Sequence, residues 1–302
     1  MSANRLYDTW FHLIRELRPT GRITQVRNLA WLIVGMLLSR SVHLSAVAAK
    51  LPFRVTLLAT VQRLSRFLSN DALHVRSWYG STAKRLLAEA AAHGSVRLII
   101  DGSKVSAHHQ LLMVALAFRK RALPIAWTWV RGARGHSGAL KQLALLSYVC
   151  TLLPAEASVE LVGDCEFGSC EVLRQLTHWH WNYALRQKGN ELACVSAEAK
   201  FCSLASLVQG RDTLAWYPQA LLTSQLVRTQ LLTYWASGQT EPWLLATNLP
   251  DAQAAWHAYR RRMWIEEMFG DWKRHGLDIE RTRLPYFQRL SRLTLAVALW
   301  YL

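Results

Sequence analysis

Two apolar runs that each end on an aspartate constrain this chain more than any other feature of its sequence. Val96-Arg-Leu-Ile-Ile-Asp101 and Val159-Glu-Leu-Val-Gly-Asp164 each read as a short buried strand closed by a carboxylate. Leu111 to Phe118 and Leu123 to Val130 are further apolar runs, separated by Arg119-Lys-Arg121, and predict a hairpin. With the first run they make three consecutive antiparallel strands. A helix is expected from Gly138 to Leu153, stopped by Pro154. A second follows Asp164, from Gly168 to His178, and then a strand from Trp181 to Arg186. The order strand, strand, strand, helix, strand, helix, strand is a mixed α/β pattern, in which the strands ending at Asp101 and Asp164 can lie side by side.

A third acid is singled out by helix geometry. The stretch Tyr259-Arg-Arg-Arg262-Met-Trp-Ile-Glu266-Glu-Met-Phe-Gly-Asp-Trp-Lys273 has helix composition and lacks proline. At about 100° per residue, Tyr259, Arg262, Glu266 and Lys273 fall on one face within an arc of about 60°, while Glu267 and Asp271 point elsewhere. Ile265, Met268, Phe269 and Trp272 form an apolar stripe beside that face. One flank of this helix can pack on a core while the next presents one carboxylate among cations. Taken alone, the charges equally suit an amphipathic surface helix with i, i+4 ion pairs.

Three carboxylates, two on strand ends and one on a helix, suit a pair of divalent ions. Mg²⁺ prefers oxygen ligands, and two such ions can activate a hydroxyl and stabilise the leaving oxygen of a phosphodiester. Asp101 is expected to bridge both ions, with Asp164 on one and Glu266 on the other; Mn²⁺ is an alternative to Mg²⁺. Glu166 also follows the second strand, and Asp164 is preferred because it sits at the strand end. Arg262 and Lys273 are placed to hold a negatively charged strand near the ions, and Tyr259 to bond a phosphate. No H-x-E, H-E-x-x-H or G-x4-G-K-[ST] pattern occurs, so zinc-hydrolase and P-loop chemistry lack support.

The charge balance agrees with a polyanionic partner. Lys and Arg number 36 against 20 Asp and Glu, giving +16 over 302 residues, and the cations are dispersed arginines for the most part. Residues 1 to 95 read as helices. Ser45 to Leu51, the break Pro52-Phe53-Arg54 and the helix Val55 to Leu68 resemble a helix-turn-helix, with Gln62, Arg63 and Arg66 on or near its exposed side. Residues from about 190 to 250 read as a β-rich insertion. Arg131 to His136 form a basic, glycine-rich loop; Arg274, His275, Arg281 and Arg283 follow the Lys273 helix. The run Leu29 to Leu38 is too short to span a bilayer, so no membrane partner is expected. The five cysteines include no C-x2-C pair, and reduced thiols in a cytoplasmic protein are expected. The sequence stops inside an apolar helix from Tyr286 to Leu302, which suggests a short C-terminus.

These residues together resemble the DDE transposases of bacterial insertion sequences, in the branch marked by Y-x2-R-x3-E-x6-K. The resemblance rests on Leu98-Ile-Ile-Asp101-Gly-Ser, Leu161-Val-Gly-Asp164 and Tyr259 to Lys273, and covers residues from about 20 to 300. It implies an RNase H-like catalytic core (a mixed sheet flanked by helices) over residues 96–302, carrying the β-rich insertion, behind a helical DNA-binding domain of residues 1–95. It implies Mg²⁺-dependent cut-and-paste transposition: binding of terminal inverted repeats, nicking, a DNA hairpin, and transfer of 3′ ends into target DNA. Tyr259, Arg262 and Lys273 then correspond to contacts with the transposon-end backbone, and a tryptophan of the insertion, Trp235 or Trp243, is a candidate support for a flipped base. A homodimer in the synaptic complex and a nucleoid-associated, cytoplasmic location are implied as well. Relatives commonly carry further C-terminal sequence for dimer contacts. The alternatives are a decayed or truncated copy that binds DNA without catalysis, and an RNase H-like nuclease that performs no strand transfer.

Overall fold

The computed structural model describes residues 2–106, 108–132, 137–196, 200–223, 225–273 and 276–302. Of the segments singled out above, residues 133–136 of the basic loop, and Arg274 and His275, lie outside them.

Five helices come first: α1 (Ala3–Leu17), α2 (Ile23–Ser39), α3 (Leu44–Ala49), α4 (Leu57–Leu68) and α5 (Val75–Ala92). Each boundary has a local cause. Ser2 and Thr56 cap α1 and α4 by accepting from the backbone of Arg5 and Ala59. Gly94, at φ +129°, takes the chain out of α5 in a conformation that a side chain would oppose. α2 is apolar on most sides because it is buried among its neighbours, with Val26, Leu29, Ile33 and Met36 fully enclosed.

The strands β1 (Val96–Lys104), β2 (His109–Phe118) and β3 (Arg121–Arg131) then form an antiparallel meander. α6 (Ala139–Cys150), β4 (Val159–Gly163), α7 (Cys170–His178) and β5 (Asn182–Arg186) follow, with β4 parallel to both β1 and β5. The next segment contributes β6 (Leu192–Cys194), β7 (Cys202–Ser203), β8 (Leu214–Leu222), β9 (Val227–Tyr234) and β10 (Trp243–Thr247). Among the described residues all ten strands form one sheet, in the order β3-β2-β1-β4-β5-β10-β9-β8-β6-β7. The β-rich segment therefore continues the sheet, with β10 antiparallel to β5.

The expected position of Asp101 needs correction. β1 runs on past it to Lys104, with Asp101 facing Met113 across the β1–β2 ladder. The antiparallel partner β2 is longer than β4 and keeps β1 extended beyond the point where β4 has ended.

The chain closes with α8 (Ala252–Arg260), α9 (Met263–Trp272) and α10 (Phe287–Tyr301). α10 lies against β3, α2, α4 and α5. The Arg292 guanidinium donates to the carbonyls of Leu68 and Leu73 and to Asp71, and Trp129 Nε1 donates to Thr294. Val42 N donates to the Leu277 carbonyl, so the helical N-terminal part is bonded to the segment after α9 as well. Among the described residues no helix is long and apolar enough to cross a membrane.

Candidate active site

The register of β1 on β4 decides where the aspartates stand. The last parallel pair is Ile100 with Gly163, so Asp101 and Asp164 are the next residue on each strand. Strands paired in this way run roughly 4.8 Å apart. Gly163 makes the approach possible: a Cβ there would come within 2.8 Å of Ile100 Cγ2 and 3.1 Å of Leu185 Cδ2. Asp101 is 2% exposed and takes a 2.7 Å hydrogen bond from the backbone N–H of Gly102. Asp164 caps the short 3₁₀ turn Cys165–Phe167, accepting from the N–H of Glu166 at 3.0 Å.

The third acid arrives from α9, and a single arginine joins it to the first. Arg262 Nη2 donates to Glu266 Oε1 at 2.6 Å, while Nη1 lies 3.5 Å from Asp101 Oδ2. The second contact is an ion pair without hydrogen-bond geometry, and Nη1 is left buried with no hydrogen-bond partner. Burial works against the charge on Arg262, but the Tyr259 phenol and the Asp101 and Glu266 carboxyls around it outweigh burial and raise its pKa. Tyr259 is 2% exposed; its hydroxyl has no hydrogen-bond partner, and its ring lies 6.0 Å from the guanidinium carbon. Burial pushes its phenol up to about 12, against the pull of Arg262 and Arg186 and with a push from Asp164. Tyr259 thus stays neutral near pH 7, so carboxylates hold Arg262 under those conditions. Asp101, Glu266 and Tyr259 thus meet around Arg262, with Asp164 next to Asp101 in register.

The continuous helix expected from Tyr259 to Lys273 is broken. α8 ends at Arg260 and α9 begins at Met263, with the i+3 bonds Arg262 N to Tyr259 O and Ile265 N to Arg262 O tightening the join. Two adjacent arginines are held by different partners there: Arg261 pairs with Glu160 on β4, and Arg262 with Asp101 on β1. The apolar stripe survives the break, since Ile265, Met268, Phe269 and Trp272 are all buried.

A polar cluster beside Asp101 was not anticipated. The Glu166 carboxylate accepts from Gln110 Nε2 at 3.2 Å and from the backbone and hydroxyl of Ser137. Gln142 Nε2 donates to the Ser137 and Glu166 carbonyls. Gln110 is fully buried, and a Cβ on Gly102 would strike its Nε2 at 2.3 Å. The signal in the sequence was a glutamine inside the apolar run His109 to Phe118.

Residues 92–302, well over half of the chain, match the family described as Transposase DDE domain. The chain belongs to the DDE transposase family. A cryo-EM structure of a piggyBac transposase synaptic complex with hairpin DNA is similar over 99% of this chain and 75% of its own, at 10% identity and a TM-score of 0.49. No curated protein matches the chain.

In this DDE family chain Lys273 is the residue after α9; its backbone leaves the helix at φ −94°, ψ −110°, and its ammonium pairs with Glu280 at 3.0 Å. The two insertion tryptophans differ. Trp243 packs edge-on against Tyr259 at 5.0 Å, inside the site's neighbourhood, whereas Trp235 lies under Arg211 and donates to the Gln239 carbonyl.

Divalent metal ions are general in the DDE family. Among the described residues no three His, Cys, Asp or Glu side chains stand together at metal-binding spacing. The donor chemistry nonetheless fits a hard cation. Asp101 and Glu266 bring carboxylate oxygens from two elements around a place that already holds a positive charge, the Arg262 guanidinium.

Proposed function

We propose that this chain is a cut-and-paste transposase with an RNase H-like core over residues 96–302, the β-rich segment as its insertion, and residues 1–95 as a DNA-binding domain. The observation that carries the reading is the convergence of Asp101 and Glu266 on Arg262, with Asp164 next to Asp101 in register. Asp101 and Glu266 repel one another, and the positive charge of Arg262 between them offsets that repulsion. Asp101, Asp164 and Glu266 would hold Mg²⁺ or Mn²⁺, two ions together, which supply an activated oxygen nucleophile and a stabilised leaving oxygen.

The chain's own residues set the conditions for that chemistry. Arg262 neutralises Asp101 and Glu266 in the absence of DNA, and a DNA phosphate offers its guanidinium an alternative partner. Its departure toward the strand leaves the carboxylates to the metal. Tyr259 keeps an unpartnered hydroxyl beside Asp164 and Arg262 for a phosphate or sugar oxygen. Lys273 reaches DNA after exchanging Glu280 for phosphate. The DNA partners are the terminal inverted repeats of an insertion sequence and a target duplex, with two copies of the chain meeting in the synaptic complex, in a bacterial cytoplasm.

Asn or Ala at Asp101, Asp164 or Glu266 is expected to abolish Mg²⁺-dependent cleavage of the element ends, with DNA binding in EDTA held within about twofold. Full cleavage by any of the three would overturn the reading. Supplying a target plasmid separates a transposase, which yields joined products, from a nuclease, which yields none.

A further inference from the structure

The catalytic neighbourhood leaves a second basic site unused. Lys120, His257, Arg260, Arg261 and Trp264 line a cleft of about 700 Å³. Arg97 belongs to the same patch, close enough to Arg261 to depress its pKa, although burial is the larger cause. Glu160 is taken up by Arg261, and among the described residues neither Lys120 nor Arg260 is ion-paired with an acid. Arg260 lies instead over the ring of Trp256, its guanidinium carbon 4.5 Å from the centroid.

The hairpin that supplies Lys120 is built at a cost. Phe118 pairs with Arg121, leaving Arg119 and Lys120 as a two-residue turn, both with positive φ (45° and 63°). A turn of this kind favours Asn-Gly, and longer side chains are disfavoured in the left-handed region. Two cations stand where sterics prefer small residues, so the strain sets positive charge at the tip.

The Lys120 end of the cleft lies away from the acid site, while its other wall, Arg260 and Arg261, adjoins Arg262. The hairpin tip lies level with the start of β1, and Asp101 is five residues further along that strand, a distance of about 17 Å. Duplex DNA carries one negative charge per about 1.7 Å of its axis, so a duplex seated at the acids extends across this distance with phosphates to spare. The half-buried Trp264 walls the cleft with a flat apolar surface suited to sugar or base.

We infer that this cleft is a second DNA-backbone site, which grips duplex DNA to one side of the scissile bond through Lys120 and Arg260. The inference rests on the transposase reading, and its test needs no catalysis. Binding of a fluorescent duplex to the full chain is measured in EDTA across a salt series. The variant Lys120→Gln/Arg260→Gln is compared with Lys200→Gln/Arg228→Gln, which removes the same charge from exposed positions of the β-rich segment. Each lost phosphate contact lowers the slope of log K against log salt by about 0.9, so the cleft variant is expected to lose about 2 in slope and about tenfold in affinity at low salt. The control variant is expected to keep the parent slope. An unchanged slope in the cleft variant, or an equal loss in the control variant, overturns the cleft while leaving the acid site standing. A chain that binds no duplex at all overturns both.

Discussion

Tyr259 shows how one side chain separates stability from function. Its ring packs on Trp243 while its hydroxyl is buried without a partner. A buried hydroxyl of this kind contributes nothing to stability, and deleting it is neutral or favourable by about 1 kcal/mol. Tyr259→Phe is therefore expected to unfold at the same or a higher urea midpoint near pH 7, while its cleavage of element ends falls at least tenfold. A variant that cleaves normally would remove Tyr259 from the DNA contacts. The alkaline side gives a second readout. The folded pKa of about 12 exceeds the unfolded value of about 10, so ionisation of the phenol opposes folding: stability is unaffected by this group below pH 10 and falls as pH rises through 12. The stability gap between wild type and Tyr259→Phe is expected to shift by about 2–3 kcal/mol in favour of phenylalanine across that window.

At the scale of the element, the break between α8 and α9 governs which cations reach the acids. It turns Arg261 toward β4 and Arg262 toward β1, while Lys273, at the far end of α9, pairs with Glu280. That pair is partly exposed and worth about 0.2–1 kcal/mol. Glu280→Gln is expected to change thermal stability little and to raise duplex affinity about two- to threefold by freeing the ammonium, as read by anisotropy at low salt. Reduced affinity would place Lys273 outside the DNA path. The segment expected to be a helix-turn-helix behaves similarly. α3 and α4 form as the sequence predicts, with Gln62 and Arg66 exposed, but Arg63 is half-buried, donates to Asn28 and covers the Phe53 ring. A periodic pattern assigns a face; a specific acceptor on another helix decides what one arginine on that face does.

On the scale of the whole molecule, the N-terminal helices and the last helix hold each other in place. Arg292 is 5% exposed and bonds the carbonyls of Leu68, at the end of α4, and Leu73, before α5, in addition to Asp71. Arg292→Ala leaves those carbonyls without their donor, at a cost of about 2–4 kcal/mol. A drop of that size in the denaturant midpoint is expected, with the far-UV and tryptophan transitions coinciding. Separate transitions would mean that the helices before β1 unfold independently of the sheet. The same docking ties the helices near α3 to the segment after α9 through Val42 and Leu277, so the proposed DNA-binding helices and the acid site keep a fixed relation.

The sequence by itself determined the alternation of strands and helices, the two aspartates at the ends of apolar runs, and the placement of Glu266, rather than Glu267, on the side of Arg262. These follow from period-2 and period-3.6 burial, which any chain with these residues must satisfy. Only the tertiary structure decided the rest. The β1–β4 register set Asp101 beside Asp164 because the small Gly163 lets Ile100 and Leu185 close over it. β2 carried β1 beyond Asp101 by outlasting β4. The carboxylates drew Arg262 between them while Glu280 drew Lys273 away, and Gln110 and Ser137 met Glu166 from distant parts of the chain. Each of these outcomes depends on which partner lies within about 4 Å after folding, a quantity that spacing along the chain does not contain.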